Sequence, residues 1–554
     1  MRRSRFGFLI LVPFAISALG AAATLANRAG GAQASSRSSR PPNIVYVLAD
    51  DLNVEVYSHM DRLKALLNDK GTTFANHFVS LSLCCPSRTA TLRGQYAHNT
   101  RIFTNAPPGG GFEKVLELGL EDSTMATWLH DAGYRTVLMG KYLNGYPNGT
   151  GGLTYIPPGW DEWYSPVHGN PYSEYNYDLN ENGAVVPYGD ADSDYMVDVL
   201  ANKAVDFIER SVTADPSTPF FMYIATYAPH GPATVAPRYI GRFADATAPR
   251  TASFNEPDVS SKPDWVRLKA PLTDAQIAAI DDLYRKRLGS MLAVEDLVAN
   301  VIDKLTALGQ LENTYIVFTS DNGFHQGQHR LNSGKNTGYD EDLFVPMVIR
   351  GPGVPAGRTL PHFTLNVDFA PTFAALGDAT PDYDVDGRSL VPLLSANPPP
   401  LSEWRRAILL EHAFPGDGGP RQGSVANGVE TTLEPKDPAE LEAPTTAATI
   451  TAPGVAPVFQ GIRTRRFKYI DYVTGERELY DVKADPDELD NQIDSADPDV
   501  INRLAGWLDS LRGCAGQECR DREARVPGSS GSPERKAEKS SRPAAGSSGR
   551  TAKP

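Results

Sequence analysis

Pro42-Asn43-Ile44-Val45-Tyr46-Val47-Leu48-Ala49-Asp50-Asp51 is a β-branched apolar run that breaks off abruptly in two carboxylates. A continuous apolar stretch of this length fits a strand buried on both faces, as in a parallel sheet. The same grammar returns far downstream. Leu297, Val301, Leu305 and Leu308 recur at helical spacing, and after a short turn Tyr315-Ile316-Val317-Phe318 leads to Asp321-Asn322-Gly323. A third run, Phe220-Phe221-Met222-Tyr223-Ile224, leads to Ala228-Pro229-His230. Short apolar runs alternating with helical patterns from Pro41 to about Ala379 predict a layered α/β domain. Ligands in open sheets of this kind bind beyond the carboxyl ends of the strands, so these clusters are expected to converge.

The whole chain has 554 residues, an apolar fraction of 41% and a formal net charge of −14. That composition is globular and long enough for one large core with an attached subdomain, or for two domains. The acidic balance argues against a general nucleic-acid binder and against adhesion to an acidic membrane surface. At the start, Arg2, Arg3 and Arg5 precede an apolar run over 6–25 and an A-x-A pattern at Ala32 and Ala34. Residues 1–34 therefore read as an export signal, with an uncleaved membrane anchor as the alternative. Export predicts a secreted, periplasmic or extracellular protein in an oxidising compartment, where the closely spaced Cys514 and Cys519 form a disulfide. Cys84 and Cys85 need another explanation, because adjacent cysteines bridge only with strain.

A catalytic domain is expected over 41–385. Beyond it, Lys468-Tyr469-Ile470-Asp471-Tyr472 and Glu478-Leu479-Tyr480-Asp481-Val482 flank a Thr474-Gly475 turn as a hairpin. This predicts a small antiparallel subdomain over 400–519, interrupted by an irregular Gly/Pro/Ala/Thr-rich insertion at 415–457 and closed by a helix bearing Ile501, Leu504, Leu508 and Leu511. Residues 520–554 lack periodicity and read as a disordered tail.

Asp50, Asp51, Asp321 and Asn322 offer only oxygen donors, which suits a hard cation, Ca²⁺ before Mg²⁺, and not zinc or copper. Taken singly, each pair is more often a solvated turn than a ligand set. His325 and His329 would be unusual zinc ligands beside an all-oxygen set, and substrate contact is the better reading for both. In Cys84-Cys85-Pro86-Ser87-Arg88-Thr89-Ala90-Thr91-Leu92-Arg93-Gly94, the proline followed by helix formers predicts a helix starting at the cysteines, where backbone N–H groups favour an anion. Buried structural cysteines before a helix are the plain alternative.

The pattern C-x-P-S-R-x-x-x-L-x-G in that segment resembles the signature of the type I, formylglycine-dependent sulfatases. Pro42 through Asp51, Gly140-Lys141-Tyr142, Ala228-Pro229-His230, Ser320-Asp321-Asn322-Gly323, Lys335 and Val345-Pro346 through Gly353 follow in that family's order. Cys84-Cys85 with His98-Asn99, Gly140-Lys141-Tyr142-Leu143-Asn144, an aromatic stretch from Trp160 and Cys514-Ala515-Gly516-Gln517-Glu518-Cys519 are similar to the N-acetylglucosamine-6-sulfatases within it.

The resemblance implies an alkaline-phosphatase-like α/β sandwich, with a large central mixed sheet between helices and a small C-terminal antiparallel sheet. It implies that a formylglycine-generating enzyme converts Cys84 to 3-oxoalanine, whose hydrate attacks a sulfate ester and whose second hydroxyl releases sulfate. Asp50, Asp51, Cys84, Asp321 and Asn322 would hold the metal, Arg88 would steady the alkoxide, and Lys141 and Lys335 would offset the sulfuryl charge. His230 would protonate the leaving alcohol. Many members carry a histidine two residues after the lysine of the G-K motif. Here that position is Leu143, which leaves His98 and His325 as candidates for the missing base. The expected substrate is a sulfated carbohydrate, 6-O-sulfated hexosamine above all, or an aryl sulfate. Trp160, Trp163, Tyr164, Tyr172, Tyr175 and Tyr177 are candidates for sugar stacking or for a buried aromatic cluster. A phosphonate or phosphate ester hydrolase on the same fold, and an inactive secreted binding protein, are the competing readings.

Overall fold

The strand runs that end in acids are laid side by side at the centre of one sheet. The computed structural model describes residues 40–412 and 455–527. Twelve strands precede the small sheet: β1 (Asn43–Ala49), β2 (Thr72–Phe78), β3 (Arg135–Gly140), β4 (Glu162–Gly169), β5 (Tyr177–Glu181), β6 (Ala184–Tyr188), β7 (Phe220–Ala225), β8 (Thr314–Ser320), β9 (His325–Gln326), β10 (Ser333–Gly334), β11 (Met347–Arg350) and β12 (Arg358–Leu365). Ten of them form the main sheet in the order β12-β2-β11-β8-β1-β7-β3-β4-β5-β6, while β9 and β10 make a separate two-stranded ladder. β1 runs parallel to both β7 and β8, and β3 runs parallel to β7 and β4. β11 is antiparallel to β8 and β2, and β5 is antiparallel to its neighbours, so the sheet is mixed.

Every residue of β1 and β7 is buried, as the unbroken apolar runs predict. Alternate side chains feed two cores. Val45, Val47, Met222, Ile224, Ile316 and Phe318 pack beneath the long helices Met196–Ala214 and Asp274–Ala307. Ile44, Tyr46, Leu48, Leu138, Phe221 and Tyr223 pack on the other face with Trp128, Phe369 and Phe373 from the helices Met125–Asp131 and Phe369–Gly377. Each large apolar side chain buried this way contributes about 1.5–3 kcal/mol.

The second sheet is antiparallel and ordered β13 (Ala407–Glu411), β14 (Phe459–Thr464), β15 (Phe467–Tyr472), β16 (Arg477–Asp481). The expected hairpin is β15–β16, and the expected closing helix is Pro498–Leu511. The subdomain shares one apolar cluster with the larger layer, joining Phe78, Val79, Ala90 and Tyr96 to Ile408, Leu410, Ile470 and Leu508. One expected boundary changes: the chain does not become irregular at residue 520, because the helix Gln517–Ala524 crosses that point, and its Glu523 is fully buried. Arg405, Arg388 and Tyr96 surround that carboxylate, and these charge partners lie too far off in sequence for a run with little apolar content to signal the helix. Cys514 and Cys519 are bonded as expected. Residues 1–34, nearly all of 415–457 and residues 528–554 lie outside the described residues. Among the described residues no helix is long and apolar enough to cross a membrane.

Candidate active site

Four strand ends deliver the site. β1 hands over to Asp50 and Asp51, β8 to Asp321 and Asn322, β3 to Lys141, and β7 to the loop carrying His230. The turn after β3 requires glycine: Gly140 has φ +94°, and a Cβ there would lie 1.9 Å from the Ala225 carbonyl oxygen. That close approach lets the Lys141 N–H donate to the same carbonyl at 2.8 Å. Asp51 holds a left-handed φ of +64°, which aspartate tolerates better than most residues. Its backbone is fixed from both sides, its N–H donating to Asp321 Oδ1 at 3.1 Å and its carbonyl accepting from Arg287.

The helix Cys84–Arg93 begins at the first cysteine, and Gly94 ends it in the left-handed region at φ +67°. Cys84 Sγ donates to Asp50 Oδ1 at 3.4 Å and lies 4.0 Å from Asp51 Oδ1, while Lys335 Nζ reaches it at 2.9 Å. Cys85 points instead into the apolar core, which separates the roles of the two cysteines. Lys335 also donates to Asp51 Oδ1 at 2.7 Å, Lys141 to Asp50 Oδ2 at 2.7 Å, and Arg88 Nε to Asp321 Oδ2 at 2.8 Å. Asn322 Nδ2 donates to Asp51 Oδ1 at 2.7 Å. All of these side chains are buried. The candidate ligand atoms of Asp50, Asp51, Cys84 and His230 lie within 4.8 Å of one another.

Electrostatics follow from that crowding. Burial alone would raise the pKa of Asp50, but Lys141, His230, Arg88 and Lys335 pull it below the carboxylate range, and Asp51 is lowered in the same way. Asp321 is pushed up to about 6 by burial and by Asp50. Burial and the Asp50 charge raise the Cys84 thiol far above its ordinary value, so it is protonated and poorly suited to act as a thiolate. Burial opposes the charge on Lys141, yet Asp50 raises its pKa overall. Buried Asp51 Oδ2, Asn322 Oδ1 and Arg88 Nη2 have no hydrogen-bond partner in the protein. Two unsatisfied oxygen acceptors in an all-oxygen set fit a hard cation.

His230 is buried beside the cluster. Its Nδ1 donates to the Gly231 carbonyl at 2.8 Å, which turns Nε2 toward Asp51 Oδ2 at 3.6 Å. His325 pairs across the β9–β10 ladder with Gly334, next to Lys335. Its Nδ1 donates to Asp342 at 2.9 Å, leaving Nε2 as its other ring position.

Three expectations are corrected. His98 is no candidate base: Nδ1 meets Glu411 Oε1 and Nε2 meets the Cys514 carbonyl, both at 2.8 Å. Burial disfavours its charge, but Glu411 wins and raises the pKa to about 9, so it is a fixed cation in a structural clamp. The aromatic stretch is largely core, with Trp163 and Tyr177 almost completely buried and Trp160 packed on Phe221. Only Tyr172 faces the site, its ring 4.6 Å from His230 and 5.0 Å from Lys141 Nζ. His329 is enclosed, held by Glu256 and stacked on Tyr339, with its pKa lowered by burial.

Sequence reasoning also missed Asp342 and Arg287. The latter is a buried cation that ties the Asp51 carbonyl, Asn53 Oδ1 and the Pro229 carbonyl together. Its signal was present: Arg287 falls on the apolar stripe of Tyr284, Leu288 and Met291.

The protein-family model named Sulfatase matches residues 42–379. The N-acetylglucosamine-6-sulfatase of Capra hircus is 34% identical over 516 residues, covering 90% of this chain and 88% of that protein. Among solved structures, one described as a complex with its substrate D-glucosamine-2-N,6-O-disulfate superposes with a TM-score of 0.68 at 23% identity, covering 87% of this chain and 99% of the other. The phosphonate monoester hydrolase of Agrobacterium radiobacter superposes with a TM-score of 0.61 at 22% identity, covering 87% of this chain and 96% of the other. The fold therefore spans both sulfate and phosphonate chemistry, and the site must separate them.

Proposed function

The chain belongs to the sulfatase family and is a sulfuric ester hydrolase; from that premise we propose that it is an exported N-acetylglucosamine-6-sulfatase, dependent on Ca²⁺ and on formylglycine at position 84. One observation carries the reading: Lys141, Lys335 and Arg88 converge with Asp50, Asp51 and Asp321 around Cys84 in a buried pocket. Asp50, Asp51, Asp321 and Asn322 would hold the cation, which when bound polarises sulfate oxygens and lowers the pKa of a coordinated hydroxyl. Once a formylglycine-generating enzyme has acted, position 84 supplies a geminal diol in place of a thiol that burial keeps protonated.

The remaining roles belong to side chains in place. Lys141 and Lys335 flank Cys84 from opposite carboxylates, so their charges bracket a tetrahedral anion bound over it. Arg88, held by Asp321, has Nη2 left for the alkoxide position. As an imidazolium, with Nδ1–H held on the Gly231 carbonyl, His230 gives its Nε2 proton to the leaving alcohol and is left as the neutral ring. His325, oriented by Asp342, contacts substrate and supplies the base missing at Leu143. Tyr172 gives the sugar an aromatic wall. The goat protein's name and the glucosamine disulfate held by the structural neighbour support a 6-O-sulfated glucosamine.

The test is sulfate release from N-acetylglucosamine-6-sulfate, sulfated heparan- and keratan-type oligosaccharides and an aryl sulfate, beside a matched phosphonate ester. Release from 6-sulfated hexosamine is expected. Aryl sulfate turnover with none from any 6-sulfated hexosamine would refute the glycan assignment, and preference for the phosphonate would refute the sulfate assignment.

A further inference from the structure

We propose a second anion-binding site on the small sheet, a groove that holds a sulfated glycan chain away from the reaction centre. The groove has a volume of about 430 Å³ and is lined by Arg406, Arg465, Arg466, Arg503, Phe467 and Trp507 among others. None of these residues belongs to the catalytic cluster. Thr464-Arg465-Arg466-Phe467 forms the β14–β15 turn, Arg503 and Trp507 come from the helix Pro498–Leu511, and Arg406 precedes β13.

Four exposed guanidinium groups gathered on a chain of net charge −14 are an unusual concentration of positive charge. Arg466 is answered by Asp481 at 2.8 Å. Arg406, Arg465 and Arg503 have no carboxylate partner among the described residues. Arg465 donates only to the Pro361 carbonyl, and its pKa is lowered by burial and by the nearby charge of Arg406. Like charges held together without a counter-charge leave an anion as the missing partner, and arginine forks suit the flat oxygen faces of sulfates.

The floor is apolar. Leu504 and Trp507 are buried beneath the rim, and Arg466 lies over the Phe467 ring at 4.8 Å. An apolar floor under a cationic rim fits sugar rings carrying sulfates better than a bare polyanion. The residues after Pro527 do not complement the groove, because 528–554 contain six Lys and Arg against two Glu. This inference rests on the glycan reading above, with the groove as a subsite that raises affinity for long chains.

The test combines binding and kinetics. Binding of heparin, and of polyglutamate as an unsulfated polyanion, is measured on the full protein, on Asp50→Ala and on the combined variant Arg406→Ser, Arg465→Ser, Arg503→Ser. Heparin affinity should fall about tenfold or more in the arginine variant and persist in Asp50→Ala. The KM for long sulfated chains should rise while kinetics on a sulfated monosaccharide stay unchanged, which also shows that the variant is folded. Unchanged heparin affinity in the arginine variant, or equal affinity for polyglutamate, overturns the proposal. Absence of glycan turnover with arginine-dependent heparin binding would sink the substrate reading and leave the groove standing.

Discussion

Two clusters of fully buried charge in this protein are built by opposite rules. Beneath the small sheet, Arg405 meets both oxygens of Asp368, one of them at 2.7 Å, and reaches Glu523 through Nε at 2.7 Å. Asp368 also accepts from the Leu365 and Arg388 N–H groups, and Glu523 accepts from Tyr96. No polar atom of Arg405, Asp368 or Glu523 lacks a partner, and Arg388 Nε at the edge of the cluster is its one leftover donor among the described residues. Around Cys84 the burial is as deep, but Asp51 Oδ2, Asn322 Oδ1 and Arg88 Nη2 are left over. A buried polar group without a partner costs about 1–3 kcal/mol, so an open cluster persists only where the surrounding fold enforces it and a ligand completes it. The closed cluster joins layers, and the open one awaits chemistry.

That contrast breaks most easily at the open end. Asp50→Asn keeps an acceptor for Lys141 but removes a charge from the cluster, so turnover should fall by about 10²–10³ or more while the unfolding midpoint barely moves. Cys84→Ala should abolish turnover, and the mass of a peptide spanning Cys84 in active protein should show the aldehyde. Full activity in either variant would remove the basis for placing the reaction here.

The closed end predicts the reverse phenotype. Arg405→Leu strands Asp368 and Glu523 and should cost about 3–5 kcal/mol in denaturant unfolding, with turnover per folded molecule retained. Cutting the chain after Arg520 removes Glu523 and should destabilise in the same direction. A variant that lost turnover and kept its stability would erase the distinction between the clusters.

His98 sharpens it through pH. Its folded pKa of about 9 lies above the ordinary 6.5, raised by Glu411 against the effect of burial. The raised value means that its stabilisation is complete below about pH 6.5 and is lost as pH rises through about 9, an amount of about 3 kcal/mol. The stability gap between wild type and His98→Leu should therefore be wide at pH 6 and narrow by pH 10, as read from urea midpoints. A gap independent of pH would show that the ion pair with Glu411 is not what holds the clamp.

The smallest effect belongs to the Cys514–Cys519 bond, which closes a short loop beside that clamp. Replacing both cysteines by serine should cost about 2 kcal/mol and leave turnover intact.

Sequence alone determined the parallel core, the acids at the ends of β1 and β8, the helix at Cys84, the β15–β16 hairpin and the sulfatase motif. These are written locally, in residues that follow one another along a single strand, helix or turn, where periodicity and end residues carry the message. What only the tertiary structure decided is which distant charges meet. Arg287 reaches Asp51 across 236 residues, and Tyr96 reaches Glu523 across 427. His98 looked like a catalytic base until Glu411 and the Cys514 carbonyl claimed both ring nitrogens, and the aromatic stretch looked like a sugar platform until Trp163 and Tyr177 turned into the core. A side chain's charge state and partner depend on the whole set of layers packed around it, and no window of neighbouring residues contains that set.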